Sequence, residues 1–302
     1  MSATALALIQ SATGEMGLNV PTLVVGSADQ QVTQLLALLN AAGKELTTQY
    51  PWQALNKAYI FTVSYTTLVG NTTINSSTIS GITDTSGVSN LYQISGTGLN
   101  QACYVTAVPS GTTLTISQPA TSTNTGVTFN LCKVKYAMPS DYDRQIDRTH
   151  WDKSKHWEML GPETPQQWEW LISGYISTGP RVRYRIFGGY FTIWPMLNTA
   201  ETLGFEYVSN AWVRDTTGAT EKTAFTADTD TCIFPDRLMV AALKLKFWQV
   251  KGFDTTNYQR DYDMQLGVAQ SADAGSPDLS MSPRATRVLI GWDQIPDSGY
   301  GS

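Results

Sequence analysis

Two aspartates alternate with threonines in the stretch FTADTDTCIFPDR. Asp228 and Asp230, with Cys232 and Asp236 close by, carry the kinds of atoms that a hard cation or an acid–base pair would use. A calcium loop would need further oxygen ligands and a terminal glutamate at fixed spacing, and none follows. Because the acids lie just before Pro235, the expected first residue of a helix, turn or cap chemistry is the favoured interpretation. Salt bridges to a neighbouring subunit come next, and metal binding or catalysis comes last.

Other groups of polar side chains offer weaker sites. His150, Asp152 and His156 occur in HWDKSKH, but this spacing is not the i, i+4 pair of a helical zinc site. A chain with two histidines has little from which to build a metal centre or a serine–histidine device. The glycine-containing stretch SGTGLN lacks the lysine and the helix that follow a phosphate-binding loop. The sequence therefore predicts neither a metal nor a cofactor.

Glutamates and tryptophans alternate in WEMLGPETPQQWEW, a pattern that fits a glycan-cleaving cleft with two carboxylates. In that hypothesis Glu158, Glu163 or Asp230 would be the acid. The favoured alternative is that the tryptophans anchor packing while the glutamates face water. The sequence thus favours a protein without enzymatic activity.

Basic residues recur every seven positions on the expected helix 235–251. Arg237, Lys244 and Lys251 therefore form one stripe along an otherwise apolar helix. Such a stripe is usually a solvated face, but it could equally pair with a neighbouring subunit. These three residues, together with Asp228 and Asp230, are the candidates for contacts between subunits.

Composition limits the classes of function. Charged residues make up 15% of the chain, against about 25% in ordinary soluble domains, so much of the surface is neutral or covered by partners. A net charge of −5 gives no basic footprint for nucleic-acid phosphates. Without a basic leader or an apolar run of about 20 residues, we expect a protein made in the cytoplasm and not inserted in a membrane. The cysteines lack C-x-x-C spacing, which predicts buried free thiols in a reducing compartment; they are Cys103, Cys132 and Cys232.

Periodicity predicts helices on both sides of a β-rich segment. Apolar residues recur at three- and four-residue steps in a helix over residues 28–48, with a capping box formed by Ser27 and Gln30. Further helices are expected over residues 3–15, 235–251 and 255–272, and the dipeptide Gly188-Gly189 marks a hairpin turn.

Between Lys57 and Lys133, Asp84 is the single charged residue. Short alternating runs bounded by Gly, Asn and Pro fill this segment and predict a small all-β module. The predicted fold class is α+β, a helical core with β-hairpins plus an inserted small all-β domain. The expected boundaries are residues 1–62 and 132–281 for the discontinuous core, 63–131 for a sandwich-like or barrel-like insert and 282–302 for a C-terminal arm.

Four motifs occur in a fixed order outside the insert, and together they carry a resemblance. They are MPSDYDRQIDRTHWD with WEMLGPETPQQWEWL, then RYRIFGGYFTIWPM, LGFEYVSNAWVRD and FTADTDTCIFPDRLMVAALKLKFWQVKGFD. The series resembles the head-to-tail adaptor, or head-completion, proteins of tailed bacteriophages and the related tail accessory proteins. The match covers residues 29–59 and 133–281, and shorter members lack the segment 63–131.

The resemblance implies a structural virion protein at the head–tail interface. Members form a ring of about twelve copies that seals the packaged head under the portal and presents a platform to the tail, while DNA passes the central channel without specific binding. Tail proteins, and fibres held by the insert, would be further partners. A C-terminal arm would reach the portal, with apolar anchors in RVLIGWDQI, namely Leu289, Ile290, Trp292 and Ile295. The alternatives are a cell-wall hydrolase and a glycan-binding tail component that uses the insert.

Overall fold

A computed structural model describes residues 3–173, 179 and 181–274 of the 302-residue chain. Its described residues form five α-helices, namely α1 (Ala5–Glu15), α2 (Gln30–Gln49), α3 (Pro165–Ile172), α4 (Asp236–Lys251) and α5 (Thr256–Ala274). Strands β1–β9 are Asn56–Thr62, Tyr65–Thr72, Thr78–Ile79, Tyr92–Ser95, Cys103–Ser110, Thr113–Ile116, Asn124–Lys133, Lys135–Ala137 and Tyr142–Gln145. Strands β10–β17 are Trp151–Asp152, Trp157–Glu158, Arg183–Phe187, Tyr190–Trp194, Thr202–Ser209, Val213–Arg214, Glu221–Lys222 and Thr231–Cys232.

Helix α2 begins two residues later than predicted, and its cap is different. The Asp29 carboxylate accepts a hydrogen bond from the Gln31 amide at 2.8 Å, whereas the Ser27 hydroxyl accepts one from the Asp29 amide. The predicted Ser27–Gln30 capping box is therefore wrong. A true capping box begins α3, where Thr164 and Gln167 satisfy each other's backbone amides.

Helices α1, α2, α4 and α5 pack around one hydrophobic cluster. The apolar stripe of α2 supplies Leu35, Leu39 and Leu46, all buried. Two large aromatic side chains, Trp52 and Trp212, complete this cluster and are also fully buried. Burial of this apolar surface stabilises helices whose own propensities would not suffice.

A five-stranded antiparallel sheet joins distant parts of the chain. Its order is β1-β14-β10-β11, and β9 also pairs with β14. One face of β1 and β14 packs into a second hydrophobic cluster with aromatic residues such as Phe205 and Phe191. On the other face Ile60 is opposite Gly204, and Gly204 is in turn opposite Trp151. That outward face carries the cavity described below.

The predicted hairpin is confirmed. Strands β12 and β13 pair from Arg183–Trp194 to Phe187–Tyr190, and β8 pairs with β13 on its other edge. Gly188 and Gly189 form the turn with φ of +59° and +79°, backbone angles that glycine adopts at little cost.

Strands β2–β7, between residues 65 and 133, form a nearly closed six-stranded barrel. The order is β2-β7-β4-β5-β6-β3, and paired hydrogen bonds between Asn71 and Ser80 bring β3 back beside β2. Its interior is apolar, with Ile79, Leu114 and Phe129 fully buried. The alternating pattern of Thr, Ser and β-branched residues follows from this arrangement, since successive side chains point in and out.

The structure confirms the predicted α+β class, and the nearly closed barrel is its most regular sheet. A small three-stranded sheet, β16-β15-β17, links the helices to the rest through a bridge between Thr4 and Thr231. Among the helices of the described ranges, none is long and apolar enough to cross a bilayer.

Candidate functional site

Asp228 and Asp230 accept hydrogen bonds from distant parts of the chain. The two carboxylate oxygens of Asp228 accept hydrogen bonds from the Val25 and Val24 amides at 2.7 and 3.1 Å. The backbone carbonyls of both aspartates also accept from the start of α1. These bonds fix the segment before α2 and the N-terminus of α1 against the same loop.

Asp230 is 1% exposed and fully bonded within the chain. Its carboxylate accepts from the Thr226 and Ala227 amides and from Lys222 Nζ at 2.8 and 3.0 Å. Burial alone raises the pKa of this carboxyl, but the bonds from Lys222 and the two amides outweigh it and lower the pKa. Asp230 is therefore a poor proton donor, and both of its carboxylate oxygens already accept hydrogen bonds within the chain.

Turn chemistry explains the aspartates, and capping of α4 does not. Pro235 is the residue before the helix, not its first residue, and it makes no side-chain cap. Asp236 begins α4, and its carboxylate accepts from the Ala3 amide at 2.8 Å. The acids upstream of the helix thus stabilise loops, and the cap interpretation is corrected.

The basic stripe on α4 is divided by the packing of the helices. Lys244 is largely buried and bridges Glu15 of α1 at 2.7 Å and Asp261 of α5 at 3.4 Å. Burial lowers its pKa, but the two carboxylates more than compensate and raise it. Lys251 lies over the Phe247 ring, 5.2 Å from its centroid, and Arg237 is exposed. Arg237 and Lys251 therefore face solvent, whereas Lys244 links α4 to α1 and α5 through its two salt bridges.

The C-terminal anchors Leu289, Ile290, Trp292 and Ile295 lie outside the described residues.

The acids of the hydrolase hypothesis share no partner among the described residues. Glu163 pairs with Arg183 at 2.6 Å and is largely buried, and Asp230 belongs to the loop described above. Glu158 lies in β11 opposite Trp151. Trp168 is buried beside Trp194, as expected, but Trp170 is 55% exposed and Trp157 is also exposed. The expectation that the tryptophans pack inside while the glutamates face water is therefore wrong for Trp157, Trp170 and Glu163.

The histidines and Asp152 occupy different environments. His150 is buried, stacks on Tyr184 with ring centroids 4.1 Å apart and shares a hydrogen bond with its hydroxyl at 3.0 Å. Burial lowers the pKa of His150 to about 4, so its ring is neutral at pH 7. His156 is exposed in the turn between β10 and β11. Within the described ranges no group of three or more His, Cys, Asp or Glu side chains could hold a metal ion.

Asp152 forms a buried carboxyl pair with Glu201 that sequence reasoning missed. Asp152 accepts from the Ser154 and Lys155 amides, and Lys155 Nζ lies 2.6 Å from Glu201. One oxygen of each acid has no hydrogen-bond partner. Burial and the neighbouring Glu201 raise the pKa of Asp152, as expected for a pair that shares a proton.

The outward face of the five-stranded sheet contains a cavity of about 550 Å³. Its floor is apolar, formed by Ala58, Ile60 and the backbone of Gly204, with Trp151 at the side. The stem of the Lys153 side chain lies over Gly204, since a Cβ at position 204 would come within 2.9 Å of Lys153 Cε.

Two cationic side chains, Arg148 and Lys153, and the imidazole of His156 surround the floor. Among the described residues neither Arg148 nor Lys153 pairs with a carboxylate. Arg148 and His156 have positive φ, +63° and +56°, a conformation that non-glycine residues rarely adopt. The sequence signal for this cavity was the isolated Gly204 within a strand, which often marks a close approach.

A second exposed apolar feature is the corner between α4 and α5. Helix α4 ends at Lys251 and is capped by Gly252 in the left-handed conformation, φ +75°. The next residue, Phe253, is 62% exposed. Val250 is also exposed, and a groove of about 1010 Å³ runs between this corner and the start of α2. Exposed aromatic side chains of this kind are typical of protein interfaces.

No protein-family model matches the chain, and no curated protein matches it significantly.

Proposed function

We propose that the chain is a structural virion protein, a head-to-tail adaptor of a tailed bacteriophage that assembles as a ring of about twelve copies. In this proposal the ring binds the portal, seals the packaged head, offers a platform to the tail and lets DNA pass its channel. The proposed action is assembly, with no bond made or broken.

The observation that carries the proposal is that charged side chains are paired within the chain while large apolar side chains remain exposed at its surface. Most of the candidate acids and the central lysine of α4 are paired within the chain. Large apolar side chains nevertheless remain exposed on separate surfaces, including Ile60 on the sheet, Phe253 at the helical corner and Val268 on α5. A subunit with two neighbours in a ring needs at least two such surfaces.

The chain organisation also supports it. The barrel starts at Tyr65, which pairs with Cys132, one residue before the last barrel strand ends at Lys133. It could therefore be added to a shorter chain without moving the flanking strands. We propose residues 1–62 and 132–281 as the ring-forming core, 63–131 as an inserted domain and 282–302 as an arm toward the portal. The ordered motif series of the adaptor family falls on the proposed core.

Sedimentation velocity tests the proposal with the full-length chain, alone and mixed with the portal protein of the same virus. We expect a discrete ring species in the mixture, of about twelve chains per portal. A chain that sediments as a monomer at all concentrations, with and without portal, contradicts the proposal. A zymogram of bacterial cell wall distinguishes the hydrolase alternative, with Glu158→Gln as the variant that should abolish any clearing.

A further inference from the structure

The cavity on the sheet is shaped and charged for an acidic group beside a large apolar one. Its apolar floor would bury an aromatic side chain, and Arg148 and Lys153 stand at its rim without carboxylate partners among the described residues. Glu206 and Asp152 also line the cavity, which disfavours a polyanion such as nucleic acid. A protein segment with one carboxylate fits better.

The corner between α4 and α5 presents that chemistry. Phe253 is 62% exposed, with one side of its ring against Trp248 at 5.2 Å between centroids, and Asp254 follows it. Both hydrogen bonds that Asp254 accepts, from the Thr256 amide at 3.0 Å and its hydroxyl at 2.6 Å, end on Oδ1. Oδ2 has no partner among the described residues and is free to accept a bond from another chain.

We propose that Phe253 of one copy inserts into the sheet cavity of the next copy, where Asp254 pairs with Arg148 and Lys153. This inference rests on the proposed function, and it specifies which surfaces of adjacent copies meet in the ring. The corner and the cavity share no residue, so the contact is head-to-tail, and a head-to-tail contact closes into a ring when its rotation permits. Phe253 fills the apolar floor, and the charges at the rim fix its orientation.

Cross-linking between copies tests the contact directly. Cys103, Cys132 and Cys232 are all buried, so a short bismaleimide should react with introduced cysteines. Chains with Val250→Cys, which keep Phe253, are mixed with chains carrying Ile60→Cys. The matched control is Ile74→Cys on the barrel, because Ile60 and Ile74 are both 53% exposed.

We expect the yield of the cross-link between Cys at positions 250 and 60 to be at least about tenfold higher than that between positions 250 and 74. We also expect the first cross-link to be lost when Phe253→Ser is added to the Val250→Cys chain. Equal yields for Ile60 and Ile74, or a cross-link that survives Phe253→Ser, would overturn the inference. If the chain still forms rings on the portal in that case, the proposed function stands and another surface joins the copies. If no rings form either, both proposals fail.

A second measurement tests the charge. Asp254→Asn keeps a side-chain oxygen that can accept from the Thr256 amide, so the start of α5 should be retained. Its control is the exposed Asp84→Asn on the barrel, since Asp84 also accepts from the amide and the hydroxyl of the residue two positions on, there on separate oxygens. We expect Asp254→Asn to raise the concentration for half-assembly about fivefold and Asp84→Asn to leave it unchanged.

In a double-mutant cycle, Asp254→Asn should raise the concentration for half-assembly very little once Arg148 and Lys153 have been replaced by alanine. If the effects of Asp254→Asn and of the two alanine substitutions on assembly simply add, the proposed pairing is contradicted. Loss of oligonucleotide binding in the Arg148→Ala/Lys153→Ala variant, with assembly intact, would instead identify a nucleic-acid surface.

Discussion

Gly43 in α2 is the position where a single added carbon should do the most damage. A Cβ at this position would lie 2.1 Å from Cη2 and 2.2 Å from Cζ2 of Trp212, whereas carbon atoms in contact are about 3.5–4.0 Å apart. The indole cannot retreat easily. It is fully buried, packs against Phe225 and Phe234, and donates a hydrogen bond from Nε1 to the Thr223 carbonyl at 2.9 Å.

Two opposing effects set the magnitude of Gly43→Ala. Alanine favours a helix over glycine by about 1 kcal/mol. Overpacking a dense core costs about 1–3 kcal/mol, and this overlap lies at the upper end. We therefore expect the free energy of unfolding to fall by about 2 kcal/mol, although the same substitution in an open helix is stabilising.

Urea unfolding followed by far-UV circular dichroism checks this expectation. Gly267→Ala in α5 is the matched control, because nothing lies within 4 Å of the added carbon, and it should raise stability by up to about 1 kcal/mol. A Gly43→Ala variant as stable as the wild-type chain would refute the packing of α2 against Trp212.

Three further predictions concern buried ionisable groups. Because the pKa of Asp230 is lowered on folding, its contribution to stability is complete at pH 7 and is lost as the pH falls below the ordinary value of 3.8. Asp230→Asn should therefore cost about 2 kcal/mol at pH 7 and much less at pH 3 in urea unfolding, and an equal loss at both would contradict the assignment. Asp152 has a raised pKa, so its stabilising contribution is present below 3.8 and is lost as the pH rises through its folded value. Asp152→Asn should flatten the decline of thermal stability with rising pH, and an unchanged slope would argue against a shared proton with Glu201. Burial raises the pKa of Cys132 to about 11 and that of Cys232 to about 12, so neither should react with a thiol reagent at pH 8 until urea unfolds the chain. Rapid labelling of the native protein would show that these sites are open.

Local signals predicted local structure well. The apolar stripe of α2 and the Gly188-Gly189 turn depend on nearby residues, and both occur where the sequence placed them. The cap of α2 was assigned to the wrong residue because Ser27 and Asp29 both offer oxygen acceptors, and only their geometry decides between them.

Sites made by strand pairing could not be found in this way. Trp151 and Gly204 meet across β10 and β14 although they are 53 positions apart, and that pairing creates the cavity. The contact between Asp152 and Glu201 has the same origin. The salt bridge between Asp230 and Lys222 could not be predicted for a related reason. Lys222 lies on β16 and Asp230 just before β17, and no short motif reveals that these strands share a sheet.

Immunogold electron microscopy of intact virions tests most directly whether the chain is a component of the head–tail junction. Antibodies against the barrel, residues 65–133, should place gold at the single vertex where head and tail meet. Gold spread over the capsid, or virions that carry none of this chain, would contradict the account.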